Sequence, residues 1–101
     1  MSISAQLSVI TLRRTPQRLK WFLECNAKPL ESLNLNVIEG VDGALHKDLF
    51  RQSRLISKNV LDRWSAGAIG SALSHMQTWR RCIQIGKPMI IAEDDAILPT
   101  Y

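Results

Sequence analysis

The order of elements in this sequence predicts an α/β fold, a parallel sheet of about three strands covered by helices. Three observations lead there. An apolar, β-branched stretch, Leu7-Ser8-Val9-Ile10-Thr11-Leu12, runs directly into a helical pattern. A second short run, Met89-Ile90-Ile91-Ala92, is opened by Gly86-Lys87-Pro88. A run so short and so rich in Ile reads as a strand buried on both faces, the habit of parallel sheets. It stops at three consecutive carboxylates, Glu93, Asp94 and Asp95. Parallel sheets bind ligands at the carboxyl ends of their strands.

The chain has 101 residues, enough for one small domain, and its composition is that of a globular protein, 46% hydrophobic and 22% charged. A formal net charge of +4 points to nucleic acid, a membrane surface or a phosphate-bearing substrate. Cys25 and Cys82 lie too far apart for a metal knuckle or a redox CxxC pair, and their number fits a reducing compartment. No secretory signal is visible near the N-terminus, and no apolar run approaches the roughly 20 residues of a membrane span. The expected location is cytoplasmic. Contact with a membrane surface through the basic middle stays open.

Taken in order, the first strand leads into Arg13-Arg14-Thr15-Pro16-Gln17-Arg18. Thr15 suits an N-cap and Pro16 the first helical position, which predicts a helix over Pro16–Asn26 burying Leu19, Phe22 and Leu23. Three arginines at a strand–helix turn make either an anion site or a set of solvated surface charges. Pro29–Leu35 reads as a connection and Asn36-Val37-Ile38-Glu39 as a second strand, closed by Gly40-Val41-Asp42-Gly43. Asp42 there is a plain turn residue or, as in many βαβ units, a contact to a ribose. Residues 44–64 are basic, with scattered apolar positions, and read as one or two short helices around an irregular middle.

The longest helical pattern runs from an N-cap at Ser65 to Ile83, ended by Gly86. Ile69, Leu73, Met76 and Ile83 form its apolar stripe, with Ala72 and Trp79 beside it. Gly67 and Gly70 inside it cost about 1 kcal/mol each relative to alanine, so close approach by backbone or ligand is expected to compensate. His75 lies off the stripe beside Ser71 and Ser74; a lone helical histidine is either structural or a ligand to something lying on that small-residue surface.

At the carboxylates, alternation along an extended strand would turn Glu93 and Asp95 to one side and Asp94 to the other. The pair could then face a hard cation carrying phosphates, while the middle residue orients something else. A solvated acidic turn is the plainer alternative.

Three segments together resemble glycosyltransferase family 25. Val9-Ile10-Thr11-Leu12 with Arg13-Arg14-Thr15-Pro16-Gln17-Arg18 is similar to the family's N-terminal start, and Val41-Asp42-Gly43 to its short Ile/Val-Asp-Gly element. Ala66-Gly67-Ala68-Ile69-Gly70-Ser71-Ala72-Leu73-Ser74-His75, followed by Trp79 and by Glu93-Asp94-Asp95, resembles its most characteristic block. The resemblance implies a Rossmann-like, GT-A-type sheet, of which this chain supplies the N-terminal, donor-binding part. It implies transfer of a hexose, with galactose from UDP-galactose as the expected donor, to a saccharide of lipopolysaccharide or lipooligosaccharide, assisted by Mn²⁺ or Mg²⁺. It places Glu93 and Asp95 at the metal, with Asp95 the direct ligand. It places Arg13, Arg14, Arg18, Asp42, Ser74, His75 and Asp94 around the nucleotide. The acceptor-binding half and the catalytic base are expected beyond Tyr101. Two departures stand out: Ala68 replaces a usual Glu, and Ala66 lies near an expected Pro.

Two other classes compete. One is a remnant that binds nucleotide or metal without turnover. The other is a small basic nucleic-acid-binding domain, disfavoured because three acids at a strand end repel phosphates unless a metal is bound. No nucleic-acid partner is expected.

Overall fold

The computed structural model describes residues 5–99. Three strands, β1 (Ala5–Thr11), β2 (Leu33–Glu39) and β3 (Met89–Glu93), form one parallel sheet in the order β2-β1-β3. β1 is the centre, and it pairs Val9 with both Val37 and Ala92. Helices α1 (Pro16–Cys25) and α2 (Ala27–Leu30) link β1 to β2. Helices α3 (Gly43–Gln52), α4 (Lys58–Arg63) and α5 (Ala66–Ile85) carry the chain back past β1 to β3. Right-handed crossovers running in opposite directions place α1 and α5 on opposite faces, a Rossmann-like arrangement.

The two faces are built differently. Leu7, Val9, Phe22 and Ala92 form the buried cluster on the α1 side, with Leu19, Leu30, Leu35 and Leu98 packed around it. On the opposite side α5 turns Gly70, Ser74 and Thr78 inward, one residue every fourth position and all buried, with Gly70 and Ser74 against the segment Val41–Gly43 that follows β2. The Ser74 and Thr78 hydroxyls donate back to the Gly70 and Ser74 carbonyls at 2.7 and 2.8 Å, so neither is buried unsatisfied.

Several sequence expectations are corrected. β3 is not buried on both faces: it lies beside β1 at one side of the described sheet, only Ala92 is buried, and Ile90 is half-exposed. The expected stripe of α5 buries only Ile69, while Met76, Trp79 and Ile83 face outward. Part of that stripe, Ile69, Leu73 and Met76, instead lines an open groove shared with α3 and α4, while small residues take the inner positions and let α5 come close to Val41 and Gly43. Leu23 is more exposed than expected, and Thr15 makes no side-chain cap bond, leaving Pro16 to set the start of α1. β2 begins at Leu33, inside the expected connection, because its residues pair with β1 from Ala5 onward.

Other boundaries agree. Ser65 caps α5 through Ala68 N–H, and Gly86 ends it with a left-handed φ of 72°. Residues 44–64 hold two short helices around an irregular bend, as their composition suggests.

Candidate functional site

Because all strands run in parallel, Thr11, Glu39 and Glu93 end at the same edge of the sheet. The strand order reverses at β1, whose neighbours β2 and β3 are reached by crossovers on opposite faces, so the carboxyl ends of β1 and β3 form the topological switch point at which such a fold has its crevice. In open α/β sheets that switch point is where ligands bind. The turn after β1 delivers Arg13, Arg14 and, one turn into α1, Arg18; the end of β3 delivers Glu93, Asp94 and Asp95.

The three arginines are not a free cationic cluster. Arg13 pairs with Glu39 at 2.9 Å, Arg14 hydrogen-bonds Asp42, and Arg18 pairs with Asp94 at 2.9 Å. Each guanidinium has five N–H donors and is at least half-exposed or close to it, so donors remain for an anion. The pairing fixes where those donors point.

The three carboxylates diverge. The strand ends at Glu93, and Ala96 N–H returns to the Glu93 carbonyl at 3.1 Å, so Asp94 and Asp95 sit in a turn. The alternation expected of an extended strand therefore stops before Asp95. Glu93 turns to α5, where it accepts the Ser71 hydroxyl at 3.0 Å and lies 4.0 Å from His75 Nε2. Asp94 is buried between the Thr11 hydroxyl at 2.8 Å and Arg18, with both oxygens occupied. It orients Arg18. Asp95 lies open to solvent, 3.8 Å from Arg18, the carboxylate with most room for another partner.

Asp42 and Ser74 serve the wall of the crevice. Asp42 caps α3 through Ala44 N–H, and its other oxygen takes the Arg14 Nε–H. That bond from Arg14 holds the Asp42 carboxyl below its ordinary range; the guanidinium charge and the Ala44 and Leu45 amides add to this, and burial opposes it. Ser74 is buried and accepts Val41 N–H at 2.8 Å, locking α5 to the segment after β2. Its hydroxyl donates to the Gly70 carbonyl and accepts from Val41, and so it shapes the site through the backbone on either side. His75 is half-buried beside Glu93, with its ring 6.5 Å from that of Trp79.

The family model for glycosyltransferase family 25 (LPS biosynthesis protein) matches residues 5–101. The chain belongs to glycosyltransferase family 25. Neither the curated proteins nor the solved structures contain a significant match. Membership makes this an α/β glycosyltransferase chain of lipopolysaccharide biosynthesis, with a sugar donor and a lipopolysaccharide acceptor as its general partners. No helix among the described residues is long and apolar enough to cross a membrane.

Within this family 25 chain, the described residues hold no group of three or more His, Cys, Asp or Glu side chains that would by itself cage a metal. A hard cation that brings phosphate oxygens needs only one or two carboxylates. Asp95 and the Glu93 oxygen not bonded to Ser71 are each free to serve as one such carboxylate, although they turn to different sides; Asp94 is not, since Thr11 and Arg18 occupy it.

Four residues of the site escaped the sequence reading. Thr11 and Glu39 are strand-terminal partners, and their pairing follows from register alone. Helical spacing puts Ser71 beside His75, but nothing in that spacing links its hydroxyl to Glu93. Asn26 gave no signal. It is fully buried, donates to the Phe22 and Ala96 carbonyls and accepts Leu98 N–H at 2.7 Å, anchoring the chain that follows the carboxylate turn.

Proposed function

We propose that the crevice between β1 and β3 is the nucleotide-sugar half of the transferase site. Galactose carried by UDP is its donor, and a saccharide of lipopolysaccharide or lipooligosaccharide its acceptor. The observation that carries this reading is Arg18, 2.9 Å from Asp94 and 3.8 Å from Asp95 across the carboxyl ends of β1 and β3, with Arg13 and Arg14 on the same turn after β1. Breaking the bond between sugar and phosphate leaves negative charge on the departing diphosphate. Guanidinium N–H groups held in fixed directions by Glu39, Asp42 and Asp94 stabilise that charge without reorganising. Asp95 and Glu93 would hold Mn²⁺ or Mg²⁺, which when bound supplies further charge neutralisation at the diphosphate. His75, on the α5 side of Glu93, faces the same edge and borders the donor. The site lies on the cytoplasmic side of the inner membrane in this reading, where nucleotide sugars are made.

Calorimetric titration of UDP-galactose into the chain, with and without Mn²⁺, tests this on wild type and on Asp95→Ala. Metal-dependent heat that disappears in Asp95→Ala is the expected result. A folded chain that gives no heat in any condition removes the donor-site reading.

A further inference from the structure

One pronounced cavity lies away from the carboxylate edge. It is a groove of about 880 Å³ between α3, α4 and α5, lined by Leu49, Phe50, Leu55, Trp64, Leu73 and Met76 among others. Several of these side chains are far from buried: Leu49 is 64% exposed, Leu55 90%, Trp64 51% and Met76 56%. Apolar surface on this scale marks an interaction site. Its shape follows from the packing of α5, whose small residues meet the segment after β2 and whose bulky ones face out.

The charge around the groove identifies the occupant. Residues 44–64 hold five basic and two acidic side chains. Lys47, Arg54, Lys58 and Arg63 are exposed, and among the described residues only Arg51 of this segment is ion-paired, at 4.0 Å from Asp62. Arg80 joins the rim from α5. The bend between α3 and α4, where Arg54 takes a left-handed φ of 57°, carries Leu55 outward between Arg54 and Lys58. An apolar tip between cations, with a half-exposed Trp beside it, matches the layering of a membrane interface. Aliphatic groups enter the acyl boundary there, Trp sits at headgroup depth, and Lys and Arg stems reach back to phosphates.

We propose that the α3–α4–α5 face docks on an anionic lipid bilayer. A second copy fits less well, since a two-fold contact would set this basic rim against itself. A nucleic acid would satisfy the cations and leave Leu49, Leu55 and Met76 uncovered. The inference rests on this face alone and stands apart from the donor crevice.

Co-sedimentation of the full chain with vesicles tests it, using phosphatidylcholine alone and phosphatidylcholine mixed with phosphatidylglycerol at about 0.1 M salt, where screening extends over about 10 Å. Binding to the anionic vesicles only is expected. Leu55→Ser with Trp64→Ser should weaken it at least about tenfold, and Lys58→Glu with Arg80→Glu should abolish the preference for phosphatidylglycerol. All four positions are exposed, and far-UV circular dichroism verifies that each variant is folded. Four results would overturn the proposal: no vesicle binding, equal binding to both vesicle types, binding unchanged by both pairs of substitutions, or capture by a soluble polyanion with none by vesicles. Self-association that Leu55→Ser with Trp64→Ser abolishes, without vesicle binding, would assign the face to a second copy instead.

Discussion

The two faces of this three-stranded sheet solve the same problem in opposite ways. On the α1 side, Leu7, Val9, Phe22 and Ala92 exclude water by bulk. On the α5 side, Gly70, Ser74 and Thr78 exclude it by closeness, with hydroxyls turned back on their own helix. The first face makes a core. The second fixes distances: it seats α5 against the segment after β2, where Ser74 holds Val41, and brings Ser71 and His75 beside Glu93. The apolar side supplies most of the stability, and the small-residue side positions the crevice and frees the outer surface of α5 for other contacts.

That contrast can be broken most severely on the apolar side. Phe22→Ala should cost about 3–5 kcal/mol, enough to abolish the cooperative transition in a urea titration followed by circular dichroism. On the close-packed side, adding one methyl group should suffice. A Cβ at Gly70 would lie 2.5 Å from the Val41 carbonyl oxygen and 2.8 Å from Gly43 N, so Gly70→Ala should lose about 1–3 kcal/mol in the same titration. A wild-type midpoint for Gly70→Ala would show that the approach of α5 is not tight.

A smaller effect sharpens the comparison at the edge of the crevice. Asp42 has a folded-state pKa below its ordinary value of 3.8, chiefly through the hydrogen bond from Arg14. A depressed carboxyl contributes stability that is present above its unfolded pKa and is lost as pH falls through the folded one. Asp42→Asn should therefore be less stable than wild type at neutral pH, with the gap closing as pH falls below about 4. Thermal melts across that range measure it. A gap that stays constant with pH would show that the Arg14 pair contributes nothing. The smallest change is expected at Gly67, where a Cβ would meet nothing within 4 Å. Gly67→Ala should raise stability by up to about 1 kcal/mol, the opposite sign from its neighbour one turn on.

The two glycines also show how far the sequence could be read. Both stood out as costly inside a helix, and close approach was the expected compensation. The structure gives that compensation to Gly70 and withholds it from Gly67. Boundaries written in local chemistry were legible: Pro16, Ser65 and Gly86 mark helix ends through their own backbone preferences. The choice of buried face on α5 was not, because periodicity weighs hydrophobicity and small residues carry little of it. At the site, the arginines and carboxylates could be placed at strand ends, which is a matter of topology. That Arg18 meets Asp94 depends on the turn at Asp94 and Asp95, and no spacing rule specifies that turn.

The sheet order has a consequence for synthesis. β1 is made first, yet one of its two hydrogen-bonded neighbours is β3, made last among the described elements. A ribosome adding about 5–20 residues per second emits the residues between Glu39 and Glu93 over several seconds. Through that interval β1 and β2 can pair, but the other edge of β1, with Leu7, Val9 and Ile10, stays open. Asn26 likewise waits for Ala96 and Leu98 before its side chain is satisfied. The nascent chain thus carries an exposed, apolar strand edge until β3 arrives, the condition under which chains pair with each other and aggregate.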